Sequence, residues 1–153
     1  MRRAIAVTMF AVVVAAVNAC ARATLPNASL SATTSPPTYV LGDFVDDYGG
    51  RHSISATEWM QGKDDRYRIV KWNSPARYLI AENNSSGPAS LGRWTRIDWV
   101  ELEGMPQYKW AFCFSAYEAK SAAAAESSMV AKSETPRTGC NGYPFTRMRV
   151  TGP

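Results

Sequence analysis

His52 is the only imidazole in the chain. That count removes two-histidine metal sites and makes any serine–histidine–acid triad depend on one residue beside the Gly49-Gly50 pair. A surface turn or half-buried strand histidine is the expected role. Asp43, Asp46 and Asp47 lie close by and could hold a calcium ion through oxygen ligands, but their spacing matches no EF-hand loop, and a solvated strand edge is favoured. Asp98 and Glu101 are three apart, so on a strand they point to opposite faces, which counts against shared acid–base work. Arg96 and Asp98 share a face and read as a strand-surface ion pair, contributing about 0–1 kcal/mol. Nucleophile-elbow, zincin, P-loop and dinucleotide-binding patterns are absent from the sequence. No catalytic residue, metal ligand or cofactor is assigned on this basis.

The aromatic residues are the more suggestive feature. There are five Trp (Trp59, Trp72, Trp94, Trp99 and Trp110) and seven Tyr, and exposed aromatic faces bind sugars and apolar ligands, as do cavities lined with them. In a β domain of this size most must be core. The five tryptophans are nonetheless the candidate ligand-binding set.

The elements that would position these residues begin after an export signal. Met1-Arg2-Arg3 followed by the uncharged run Ala4 to Val17 has the layout of a signal peptide over residues 1–19. Its apolar run, at about 1.5 Å per residue, spans roughly 21 Å and is short of the ~30 Å needed to cross a bilayer. Val17-Asn18-Ala19-Cys20 resembles a lipobox, which would make Cys20 an acylated mature N-terminus; cuts after Ala21 or Ala23 would instead release a soluble chain. Residues 20–38 are rich in Ala, Ser, Thr and Pro and read as a tether. Cys113 and Cys140 survive any of these cuts and are expected to pair in an oxidising compartment.

The remaining composition allows one globular domain. Of 153 residues, 46% are hydrophobic and 20% charged, which excludes collagen-like and mostly disordered chains. Loss of Arg2 and Arg3 leaves 15 basic against 13 acidic residues, a balance of +2, and no long basic cluster marks a nucleic-acid partner.

Residues 39–153 are expected to form this domain, mainly β, with about seven antiparallel strands in a small barrel or strongly curved sheet and one α-helix before the last strand. The expected strands are Tyr39–Tyr48, Arg51–Ile54, Arg66–Trp72, Arg77–Ala81, Trp94–Leu102, Tyr108–Phe114 and Tyr143–Val150. Alternation puts Ile97 and Trp99 on one face, with Arg96, Asp98, Trp94 and Val100 on the other. It likewise lines up Tyr108, Trp110, Phe112 and Phe114. Ser115 to about Lys132 is Ala-rich and predicts a helix, with Ser115 as N-cap through its spacing from Glu118.

The stretch Trp110-Ala111-Phe112-Cys113-Phe114-Ser115-Ala116-Tyr117-Glu118-Ala119, with the later Gly139-Cys140-Asn141-Gly142-Tyr143-Pro144-Phe145, resembles a group of small exported bacterial proteins of unknown function. These share an aromatic strand ending in Cys, an Ala-Tyr-x-Ala helix start and a late Gly-Cys-x-Gly. Arg96-Ile97-Asp98-Trp99 and Tyr78–Asn83 are also similar to that group's middle strands. The resemblance implies paired cysteines and a bacterial envelope location, and carries no activity. The expectation is a lipid-anchored or secreted, non-catalytic envelope binding module for a small apolar or carbohydrate ligand or an envelope protein. An inhibitor of a secreted hydrolase and a small hydrolase using His52 are the alternatives.

Overall fold

The computed structural model describes residues 33–84 and 91–151. The signal peptide, Cys20, the first part of the tether and most of the turn after Asn84 lie outside the described residues.

Eight antiparallel strands close into a barrel in simple sequence order. They are β1 (Gly42–Asp46), β2 (Arg51–Ile54), β3 (Glu58–Gln61), β4 (Asp65–Asn73), β5 (Tyr78–Asn83), β6 (Trp94–Glu101), β7 (Trp110–Ala119) and β8 (Thr146–Val150). Closure is made by β1 on β8, with Phe44 opposite Val150 and Asp46 opposite Met148. The expected mainly-β barrel is present, with eight strands in place of about seven. The additional one is β3, whose four residues carry a single inward anchor, Trp59. So short a segment, bounded by Glu58 and Gln61, shows too little alternation to be recognised.

Inward residues alternate along every strand and fill the barrel. Phe44, Trp59, Leu79, Ile97, Trp110 and Met148 are buried in one interior cluster. Each such side chain contributes about 1.5–3 kcal/mol by leaving water. The Ile97/Trp99 face and the Trp110/Phe112/Phe114 face both point inward. Tyr39 belongs to no strand: Thr38–Val40 form a 3-10 turn that puts Val40 in the core. Thr34 donates to and receives from the backbone around Trp72 and Ser74, so the final residues of the expected tether are docked on β4.

The predicted long helix is not formed. β7 continues to Ala119 across bulges, with Arg96 opposite Ala116 and Trp94 opposite Ala119. Only Ala122–Glu126 is helical (α1), capped by Ser121, whose hydroxyl accepts from the Ala124 amide at 3.1 Å. Tyr117 explains the outcome: its ring contacts Tyr67 and Phe114 at 6.4 and 5.6 Å, and tertiary packing of this kind overrides alanine's helix propensity. Ser115 is not a cap.

The long β7–β8 connection, α1 included, packs on the outside of the barrel. Ala125 covers Tyr78 and Ile80, while Phe145 and Cys140 cover Val100, Ala111 and Cys113. The expected Cys113–Cys140 disulfide fastens it, with the two Cα atoms 5.5 Å apart. Gly139 is required beneath it, since a Cβ there would lie 2.0 Å from the Lys132 carbonyl oxygen.

Because this bond closes a loop of 27-residue separation, the chain-entropy model assigns it about 3.5 kcal/mol. Urea denaturation with and without a thiol reductant should show a loss of about 3 kcal/mol with far-ultraviolet β signal retained before the transition. An unchanged midpoint would contradict this.

Candidate functional site

His52 stands in the barrel interior, on β2, with its side chain fully enclosed (0% exposed). It is therefore neither a surface turn residue nor half-buried. Trp59 Nε1 donates to His52 Nδ1 at 3.0 Å, which leaves the proton on Nε2 to be donated to Asp46 Oδ2 at 2.9 Å. The other carboxylate oxygen of Asp46 accepts from the amides of Tyr48 and Gly50 at 2.9 and 2.7 Å, pinning the β1–β2 turn. Gly50 must lack a side chain, because a Cβ there would sit 2.5 Å from Asp46 Oδ2. The line Asp46–His52–Trp59 is closed on itself: both ring nitrogens are used, and although His52 borders a hollow over β1–β3, its side chain has no exposed surface there. A hydrolase base requires a carboxylate partner, which is present, and an accessible cleft, which the enclosed ring lacks.

The three aspartates of the β1–β2 region do not converge. Asp46 points inward and is 6% exposed, which corrects the solvated-edge expectation for it. Asp47 accepts from Arg147 Nε at 2.7 Å, and Asp43 is exposed. Asp98 and Glu101 also part company: Glu101 accepts from the Tyr39 hydroxyl at 3.1 Å, whereas Asp98 lies under the β7–β8 connection.

Arg96 and Asp98 are a buried pair, 4% exposed each, and the expectation of a surface pair is overturned. Arg96 donates twice to the Asp98 carboxylate at 2.9 and 2.8 Å and once to the Glu126 carbonyl at 2.7 Å, with its guanidinium 4.0 Å above the Tyr78 ring. Ser115 donates its hydroxyl to Asp98. Beside it, buried Lys71 donates to the Tyr78 hydroxyl at 3.1 Å and is paired with Glu126. α1 and its preceding strand supply the partners of two charges that β4 and β6 carry outward. Breaking a buried pair by removing one member costs about 3–5 kcal/mol, so these contacts fix where the connection docks.

The candidate ligand-binding tryptophans are placed as filler. Trp59, Trp72, Trp99 and Trp110 are each no more than 4% exposed inside the barrel, and Trp94 packs outside against the α1 layer. Trp72 and Trp99 stack edge to face at 5.6 Å, and Trp59 meets Phe112 at 5.0 Å. At the end of the barrel opposite the 3-10 turn, Asn83 donates to the Tyr117 carbonyl at 2.8 Å, and Thr95 donates to Asn83 at 2.5 Å. Burial keeps the Tyr67 phenol there neutral by raising its pKa.

Open space lies on the outer wall instead. A cleft of about 370 Å³ runs between the β1–β2 turn, the β6–β7 turn and the end of the β7–β8 connection. Leu102, Met105, Ala111, Pro144 and Phe145 form its apolar lining, and Asp47, Arg137 and Arg147 its polar one. The Asp47 Oδ1 atom is shielded from solvent and has no hydrogen-bond partner among the described residues. A second hollow of about 380 Å³ over β1–β3 is lined by Asp43, Phe44, Arg51, His52, Ser53 and Met60, and is the more polar of the two. Sequence reasoning missed the first cleft because its walls come from three segments far apart in the chain.

The buried imidazole carries a pH signature. Desolvation lowers the His52 pKa more than Asp46 raises it, so it falls below its ordinary value of 6.5. The unfolded chain then binds more protons below about pH 6.5, and stability present above that value is lost as the pH falls toward the folded pKa. Urea midpoints should decline from about pH 7 to about pH 5, and the decline should shrink in His52→Gln. Should that variant not fold, the His52 ring resonances report the same property: a ring titrating at or above its ordinary value would contradict it.

No protein-family model matches the chain, and no curated protein or solved structure matches it either.

Proposed function

We propose that this chain is an exported, lipid-anchored envelope protein that binds and does not catalyse, and that it works through the outer wall of its barrel. The observation that carries the reading is the filled interior. Four of the five tryptophans and the single histidine are consumed in packing and internal hydrogen bonds. A ligand swallowed by the barrel would need volume that these rings occupy. Among the described residues the concave space is on the surface, which favours a partner that docks over one that is enclosed.

The anchor rests on the Val17-Asn18-Ala19-Cys20 sequence. Acylation at Cys20 would hold the barrel at a membrane surface through the Ala21–Ala32 stretch. The disulfide suits the same exported setting.

Two readouts on natively exported protein test the proposal. Intact mass should give a diacyl- or triacylglyceryl Cys20, and a chain beginning after Ala21 or Ala23 would contradict the anchor. A photocrosslinking amino acid at the exposed positions Tyr48 and Arg68, placed on different sides of the wall, should yield a discrete adduct from at least one. Adducts from neither would contradict the binding role.

A further inference from the structure

We infer that the Cys113–Cys140 bond is a redox latch on the outer wall. A dithiol that reduces it, entering at Cys140, frees residues 129–144 and takes one wall of the cleft away, while the barrel and α1 stay in place. The inference goes beyond the binding reading and needs neither the lipid anchor nor a ligand.

The observation that carries it is where the hydrogen bonds of this segment go. Lys132 donates to Gly139, Gly139 and Thr138 donate to Thr135, Gly142 donates to Thr138, and Cys140 and Tyr143 donate to one another. All of these are backbone bonds inside the segment. Among the described residues a single hydrogen bond joins it to the barrel wall, from Asn141 Nδ2 to the Phe114 carbonyl at 3.4 Å, beyond the usual range. Lys132, Glu134 and Arg137 form no ion pair among those residues. Ala131 and Cys140 are its apolar contribution to the layer over Val100, Ala111 and Cys113.

The fastening of α1 is different. Ala125 is fully buried, Glu126 is paired with Lys71 and accepts from the Tyr78 hydroxyl at 2.6 Å, and the Glu126 carbonyl accepts from Arg96 at 2.7 Å. None of these contacts depends on sulfur. The segment beyond α1 is held by one covalent bond, and chain with so few contacts to its support opens locally when that bond goes. An isolated hairpin of this size is marginal once it leaves the wall beneath it.

Exchange has a direction. Cys113 is 1% exposed, whereas Cys140 is partly exposed and begins the tight turn that ends at Tyr143. The thiolate of the dithiol therefore attacks Cys140 Sγ, the S–S bond breaks, and Cys113 leaves as a thiolate that takes up a proton. The second thiol of the dithiol then displaces Cys140 as a thiol and closes the reagent's own disulfide, so two electrons pass from reagent to protein. Ser115 Oγ lies 3.8 Å from Cys113 Sγ and gives its own proton to Asp98, so it is placed to accept the new S–H. Pro136 and Arg137, which line the cleft, lie on the freed segment. The cleft is complete only in the oxidised protein.

Dithiothreitol added to the folded, ¹⁵N-labelled protein without denaturant is the test. Amide exchange at Lys132, Gly139 and Cys140 should accelerate by about a hundredfold or more, with Leu79, Ile97 and Ala125 still protected. Cys140→Ser, which cannot form the bond, should give the same pattern with no reductant. Unchanged protection at Lys132 and Gly139 after reduction would overturn the latch, as would collapse of the whole spectrum or a reduction that proceeds only in urea. Brief reaction with the monothiol glutathione, quenched in acid, reads the entry point. Mass mapping should find glutathione on Cys140, and glutathione on Cys113 would overturn the direction of attack.

Discussion

Closure of the sheet by pairing β1 with β8 is the constraint on which the rest of the structure depends. An eight-stranded barrel has an interior just wide enough for side chains or one small ligand. In this chain side chains take the space. Phe44, Trp59 and Trp110 interlock at ring distances of 5.2 and 6.0 Å, a spacing at which aromatic pairs add to their burial energy. A polar group inside must then find its partner inside or go without, as the Trp110 Nε1 atom does among the described residues. Asp46, His52 and Trp59 meet that requirement by bonding in series, and the same carboxylate ties the β1–β2 turn that stands over the outer cleft.

A filled barrel leaves its open concave space on the outer wall, and that wall is asymmetric. The β7–β8 connection covers the faces of β5, β6 and β7, fastened by the disulfide, by the buried Lys71–Glu126 pair and by the bond from buried Arg96 to the Glu126 carbonyl. Buried ion pairs are weak contributors to net stability but penalise misplacement strongly, so they serve better to fix this layer than to strengthen it. Its far end, Pro136 to Phe145, forms one wall of the cleft. The cleft geometry thus follows from the disulfide and the contacts of Glu126 with Lys71 and Arg96, although none of these groups lines it.

Legibility in the sequence followed the strength of local alternation. β7 was readable because Trp110, Phe112 and Phe114 alternate with small Ala111, Cys113 and Ser115, β6 because Ile97 and Trp99 alternate with charged Arg96 and Asp98, and the Cys113–Cys140 pairing was readable from residue counting. β3 offered only Trp59. The Ala122–Ala125 run exaggerated the helix because propensity is local, while the aromatic contacts that keep Tyr117 in a strand come from β4. Burial of Arg96 and Asp98 was invisible for a related reason: their cover, Glu126 and its neighbours, is supplied by a connection whose path the sequence does not declare. His52 was misplaced because alternation predicts a face but not which face is inward on a strand of only four residues.

The central claim is that the barrel is solid, so that the proposed binding falls to its surface. Diffraction from crystals of the domain under xenon pressure tests it most directly, since xenon enters dry apolar cavities of roughly 150 Å³ and marks them unambiguously. The account predicts no xenon site among Trp59, Leu79, Ile97, Trp110 and Met148. A well-occupied xenon site at the centre of that cluster would contradict it and return the ligand to the interior.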